Sequence, residues 1–136
     1  KNVWQNVELP LELFKDERGK IADIFYKKNI NHVAIIHSDP NIMRGNHYHK
    51  LSTQHMLITK GSLEYWYKPF DSGDLPKMVV LEVGDLISTP PYEAHALIIR
   101  DDGNEFVVFA EGPRGGLDYE SDTFRIECFV PKDRQP

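Results

Sequence analysis

Short β-prone runs, each ended by turn residues, fill almost the whole of this chain and leave no room for long helices. They are predicted at residues 11–14, 21–26, 32–37, 54–59, 62–68, 78–83, 86–89, 94–100, 105–110 and 123–130. The punctuation is Asp16-Glu17-Arg18-Gly19, Ser38-Asp39-Pro40-Asn41, Lys60-Gly61, Gly84-Asp85, Pro90-Pro91 and Asp101-Asp102-Gly103-Asn104. Glycine, proline and asparagine interrupt strands because they favour backbone angles a ladder does not use. No window shows a helical stripe of apolar residues. About ten strands at this spacing predict an all-β sandwich or barrel. The 136 residues suit one domain over 1–136, with 131–136 expected to be a loose tail.

Period-two alternation shows in Leu63, Tyr65 and Tyr67 against Ser62, Glu64, Trp66 and Lys68. Over 123–130 the same rule puts Phe124, Ile126 and Cys128 on one face and Arg125 and Glu127 on the other. With 40% hydrophobic residues the chain can bury a core. A formal net charge of −5 with scattered basic residues argues against nucleic acid. No apolar stretch reaches the roughly 20 residues needed to span a bilayer, so no membrane partner is expected. Lys1-Asn2-Val3-Trp4-Gln5 lacks the apolar run of a signal peptide. The single cysteine, Cys128, fits a reducing compartment, and a cytoplasmic location is expected.

Chemistry concentrates in two segments. Arg44-Gly45-Asn46-His47-Tyr48-His49 is followed by Gln54 and Gly61; Gly84, Pro90 and His95 come later. Residues two apart on a strand share a face, about 6 to 7 Å apart. His47 and His49 should therefore converge, with Gln54 and His95 reaching the same point from other strands. Imidazole ligates zinc, copper, iron and nickel, and an amide oxygen can join it. A lone histidine is more often structural. That reading is kept for His32 and His37, and His55 falls on the strand face opposite Gln54. Tyr48 should point away from the histidines into core.

The two segments resemble the two cupin motifs. His47-x-His49, four residues, Gln54, six residues and Gly61 match the first. Gly84, five residues, Pro90 and then His95 match the second. The resemblance implies a double-stranded β-helix, the jelly-roll barrel of the cupins. Gln54 stands where metal-binding cupins usually carry glutamate, and Ile99 where the second motif often ends in asparagine. Within the cupins, Arg44-Gly45-x-His47-x-His49-Lys50, Gln54, Gly61-Ser62 and the later Gly116 to Arg125 stretch resemble the sugar-nucleotide 3,4-ketoisomerases and RmlC-like 3,5-epimerases.

That resemblance implies an isomerase or epimerase of a nucleotide-linked keto-deoxyhexose, dTDP-sugar-like, in deoxysugar or surface polysaccharide biosynthesis. It implies no required cofactor, His47 and His49 as the acid/base pair, and a homodimer that often trades N-terminal strands. Histidine, with an ordinary pKa of about 6.5, suits removal of a proton α to a carbonyl. The diphosphate needs cations. Arg44 is the best placed, with Lys60 and Arg100 next. Tyr65, Trp66 and Tyr67 either stack on a nucleobase or pack the barrel, and strand propensity favours packing. The alternative is a divalent transition metal on His47, His49, Gln54 and His95, in an oxygenase, isomerase or sensor. A third reading is a non-catalytic sugar-binding cupin.

Overall fold

The computed structural model describes residues 1–100 and 102–136. Its strands are β1 (Leu13–Asp16), β2 (Gly19–Ala22), β3 (His32–Ser38), β4 (Ile42–Tyr48), β5 (Thr53–Gly61), β6 (Leu63–Pro69), β7 (Lys77–Leu81), β8 (Leu86–Thr89), β9 (Glu93–Ile99), β10 (Asn104–Glu111) and β11 (Phe124–Arg125). A single short helix, α1 (Leu117–Ser121), and a 3₁₀ turn (Lys132–Arg134) are the helical elements among the described residues. No described helix is long and apolar enough to cross a membrane. The turn expected at 101–104 includes residue 101, which lies outside the described residues.

The all-β expectation holds. One sheet has the order β3-β10-β5-β8 and a second the order β11-β4-β9-β6-β7. β1 and β2 form a separate hairpin around the expected turn. Between the two larger sheets lies a core of Met56, Ile58, Phe106 and Val108 from the first and Leu63, Tyr65, Leu81, Leu97 and Ile99 from the second. β10 shows why they face each other. Asn104, Phe106, Val108 and Ala110 are buried while Glu105, Val107, Phe109 and Glu111 are only partly so. That is the two-residue pleat with one face turned inward. Burying a side chain such as Phe106 stabilises the fold by about 1.5–3 kcal/mol.

β6 departs from simple alternation, since Leu63, Glu64, Tyr65 and Trp66 are all buried. Its outer face is covered by the C-terminal segment. Trp66, Ala96, Ile98 and Val130 form a second cluster, flanked by Met43 and Phe129. The strand expected at 123–130 is therefore corrected. Only Phe124 and Arg125 pair with β4. β4 bulges between Gly45 and His47, where Asn46 takes a φ of 59°. The Ile126 amide donates to the Asn46 carbonyl at 2.9 Å, and the chain then leaves the ladder to lie across the sheet.

The loose tail is corrected too. Arg134 ion-pairs with Glu64 at 3.3 Å, and its carbonyl accepts a hydrogen bond from Arg100 at 2.8 Å. At the other end Val3 is 2% exposed, its amide bonded to the Gly84 carbonyl at 2.8 Å within the same chain.

Candidate active site

β4 and β9 place the histidines. His47 lies opposite His95 in the antiparallel register, and opposed residues share a face. Gly45 lets the strands approach, because a Cβ there would stand 2.7 Å from the His95 carbonyl oxygen. After the bulge, His49 follows the end of β4 and turns to the same side. The ring centroids are 4.6 Å apart for His47 and His95, 5.0 Å for His47 and His49, and 5.5 Å for His49 and His95. Gln54 on β5 brings its amide nitrogen within 3.2 Å of His49 Nε2. The sequence-predicted quartet is thus assembled.

Backbone carbonyls set two of the tautomers. His49 Nδ1 donates to the Asp122 carbonyl at 2.8 Å, and His95 Nδ1 to the Glu93 carbonyl at 3.1 Å. His95 is left with an Nε2 lone pair, and that of His49 accepts the Gln54 amide. Asp122 was missed in the sequence. Its buried carboxylate accepts the amides of Lys50, Leu51 and Ser52 and the Ser52 hydroxyl, at 2.9 to 3.2 Å. Burial pushes its pKa up, but these hydrogen bonds outweigh burial and hold it below the usual carboxylate range.

Burial also governs the rings. It pushes His47 down to about 3, with His95 and His49 adding to the effect. It pushes His95 down to about 4, against the pull of the Glu93 carbonyl. His49 is lowered by burial and partly restored by Asp122. His47 and His95 are therefore neutral at pH 7, which leaves lone pairs to accept a proton or ligate a cation.

His47 and His95 line a cavity of about 350 Å³ with an apolar wall that includes Ile36, Met56 and Phe106, and His49 sits behind Gln54, which also lines it. Arg44, Arg114 and Arg125 also line it, together with Tyr119. Arg44 is one of the three cations that the sequence put forward, and it stands at the cavity. Its Nε donates to Ser38 Oγ at 2.7 Å and a terminal nitrogen to the His37 carbonyl at 3.2 Å. Lys60 and Arg100 do not line the cavity. Lys60 is exposed at the end of β5, and Arg100 is held by Glu64 at 2.8 Å. Arg114 and Tyr119 were missed, although Tyr119 and Arg125 sit in the acidic-rich stretch that the sequence had marked.

The aromatic run is packing. Tyr65 is 1% exposed, bonded to Thr89 Oγ1 at 2.6 Å and Glu93 at 2.9 Å, and lies parallel to His95. Trp66 donates to Glu64 at 3.0 Å. Tyr48 does point away from the histidines, but it is half-buried in an outer stack with Phe70 and Phe124 rather than in the core. His32 and His37 take no part in the cavity.

The donor set also fits a transition metal. One ligating atom from each of His47, His49 and His95 lies within 4.8 Å of the others. The Nδ1 bonds of His49 and His95 to carbonyls are the outer support that metal-binding imidazoles usually have.

A family model described as the polysaccharide biosynthesis C-terminal domain matches residues 14–111. No curated protein matches the sequence. Among solved structures, QdtA, a sugar 3,4-ketoisomerase from Thermoanaerobacterium thermosaccharolyticum in complex with TDP, is 22% identical, with a TM-score of 0.69 over 86% of this chain and 85% of that one. The dTDP-6-deoxy-D-glucose-3,5-epimerase RmlC from Legionella pneumophila is 16% identical, with a TM-score of 0.65 over 85% and 69%. The capsular polysaccharide assembling protein CapF from Staphylococcus aureus is 19% identical, with a TM-score of 0.63 over 88% of this chain and 35% of that one. At such identities the likeness establishes the shared fold, the RmlC-like cupin barrel. The family match covers most of the chain, and the chain belongs to the polysaccharide biosynthesis C-terminal domain family.

Proposed function

We propose that this protein isomerises or epimerises a nucleotide-linked keto-deoxyhexose by proton transfer at the carbon beside its ketone. One observation carries the reading: three imidazoles cluster, and two of them, His47 and His95, line a cavity that three guanidiniums also line. A volume of about 350 Å³ lies in the range of small-molecule sites. Arg44 and Arg125, exposed at the cavity, suit the diphosphate, because guanidinium pairs with phosphate oxygens in bidentate fashion.

The chemistry begins when an Nε2 lone pair takes the proton α to the ketone. His49 acts as the base, its tautomer fixed by the Asp122 carbonyl and its Nε2 exchanging the Gln54 amide for the substrate. The C–H electron pair becomes the double bond of an enediolate, and the carbonyl π pair moves to oxygen. Return of a proton to the former carbonyl carbon, with the adjacent hydroxyl losing its proton and the former ketone oxygen gaining one, moves the ketone; return to the opposite face of the first carbon inverts it. His47, 5.0 Å from His49, is placed to take part in the second transfer. The apolar wall keeps water from competing.

The test is turnover of TDP-4-keto-6-deoxyglucose, a sugar nucleotide with which a structural neighbour has been solved. His49→Asn should lower kcat about 10²- to 10⁴-fold, the usual contribution of a positioned acid or base. Retention of wild-type turnover in that variant would end the histidine mechanism.

The tautomers of His49 and His95 favour a second reading, in which His47, His49, His95 and Gln54 hold a divalent transition metal. Such an ion supplies Lewis-acid polarisation of a carbonyl. Elemental analysis of purified protein decides between the two. Stoichiometric metal, with activity lost to a chelator and restored by the metal, selects the second.

A further inference from the structure

The three guanidiniums at the cavity are not equivalent. Glu120 holds Arg125 through two hydrogen bonds of 3.0 Å. Arg44 is tied to Ser38 and the His37 carbonyl. Arg114 forms no ion pair among the described residues. Its Nε is buried and has no hydrogen-bond partner. A buried donor left unmet on a cation is costly, and proteins keep one chiefly where a ligand completes it.

The loop that carries Arg114 turns it inward. Residues 112–116 read Gly-Pro-Arg-Gly-Gly. Gly115 packs on His32, where a Cβ would stand 3.0 Å from Cδ2, so a larger residue there would have to push the ring back. The Arg114 guanidinium carbon lies 5.4 Å from the Tyr119 ring, and that ring lies 6.4 Å from His49. Its charge bears on both His47 and His49. Arg114 therefore stands beside the rings that move protons, and it is half-buried where Arg44 and Arg125 are exposed.

We propose that Arg114 is a catalytic residue that holds the developing oxyanion of the substrate. Its terminal N–H groups donate to the ketone oxygen as the enediolate forms. No proton leaves the guanidinium. The α-proton goes to imidazole, the C–H pair becomes the C=C bond, and the oxygen carries the negative charge until a carbon is reprotonated. This assignment rests on the isomerase reading above. The guanidinium already stands against the Tyr119 ring before the charge appears, and donors in place beforehand are the arrangement that lowers such barriers most.

The experiment compares wild type, Arg114→Met and Arg114→Lys with TDP-4-keto-6-deoxyglucose. It measures kcat, KM, exchange of the α-hydrogen with D₂O, TDP affinity and thermal melting. Arg114→Met should lower kcat and the exchange rate about 10²- to 10³-fold, the usual loss for one such donor. KM, TDP affinity and melting should change little. Arg114→Lys should recover part of the rate, and added ethylguanidine should rescue Arg114→Met. Wild-type kcat in Arg114→Met overturns the assignment, as does a loss confined to KM and TDP affinity, which would make Arg114 a diphosphate ligand. If Arg114→Met melts early, the Lys variant and the ethylguanidine rescue decide, and absence of both overturns it. If wild type itself neither turns over nor exchanges, the isomerase reading falls and takes this assignment with it.

Discussion

His49 and His55 are equally buried, at 3% and 6% exposure, but they sit on opposite sides of the barrel wall. His55 faces outward from β5. Its Nδ1 meets Ser88 Oγ at 2.7 Å, its Nε2 meets Glu111 at 2.7 Å, and Phe25 covers its ring at 4.8 Å. Both nitrogens are occupied within the protein. His49 gives one nitrogen to a backbone carbonyl and turns the other toward Gln54, a residue of the cavity wall. Burial alone thus does not mark a functional histidine. What separates the two is the company of the second nitrogen: for His49 it is the neutral amide of a cavity residue, for His55 a carboxylate outside the barrel. The Gln54–His55 step is the pleat of one strand, sending neighbouring side chains to opposite faces.

The sharpest way to probe the inner set is pH. His47 and His95 are held at about 3 and about 4, below the ordinary 6.5. The unfolded chain therefore takes up these protons more readily than the folded one. Stability should be full above pH 6.5 and fall as pH drops toward 4. Between pH 6.5 and 4.5 each ring costs on the order of 2 kcal/mol. Urea midpoints across this range measure the loss, and His95→Gln should flatten the curve. An equally steep curve in that variant would put the acid sensitivity elsewhere.

The outer histidine should behave in the opposite way. His55→Ala leaves the half-buried Glu111 without its hydrogen bond and should cost about 1–3 kcal/mol by denaturant titration. Its kcat should match wild type, and a lowered kcat in the folded variant would erase the contrast with His49. The smallest effect is expected at Arg100, on the outer side of the other sheet. Arg100→Ala still leaves Arg134 on Glu64, so the loss should be about 1 kcal/mol or less. KM should not move. A raised KM would return Arg100 to the substrate site from which its pairing removes it.

How far the sequence was legible depends on the range of the interaction. β8 was bounded at 86–89 and is found at Leu86–Thr89, because glycine and proline stop it locally. His47 and His49 were legible as a pair because the pleat is local, and Gln54 and His95 joined them through the resemblance of both segments to the cupin motifs. Arg114 was not legible. Nothing near residue 114 says that the loop will fold back over His49, tens of residues earlier. Asp122 was hidden for the same reason, since its partners are the amides of Lys50, Leu51 and Ser52. Residues 126–130 alternate like a strand, but a bulge in β4 denied them a regular edge to join.

The order of residues along the chain determined the all-β class, most strand limits and the pairing of His47 with His49, since each follows from a two-residue period and from turn residues that act where they stand. Tertiary structure alone decided which cations reach the cavity. Arg100 was drawn to Glu64 and Arg114 has no ion pair among the described residues, because the carboxylates that capture or spare a guanidinium are brought near it only when distant segments pack.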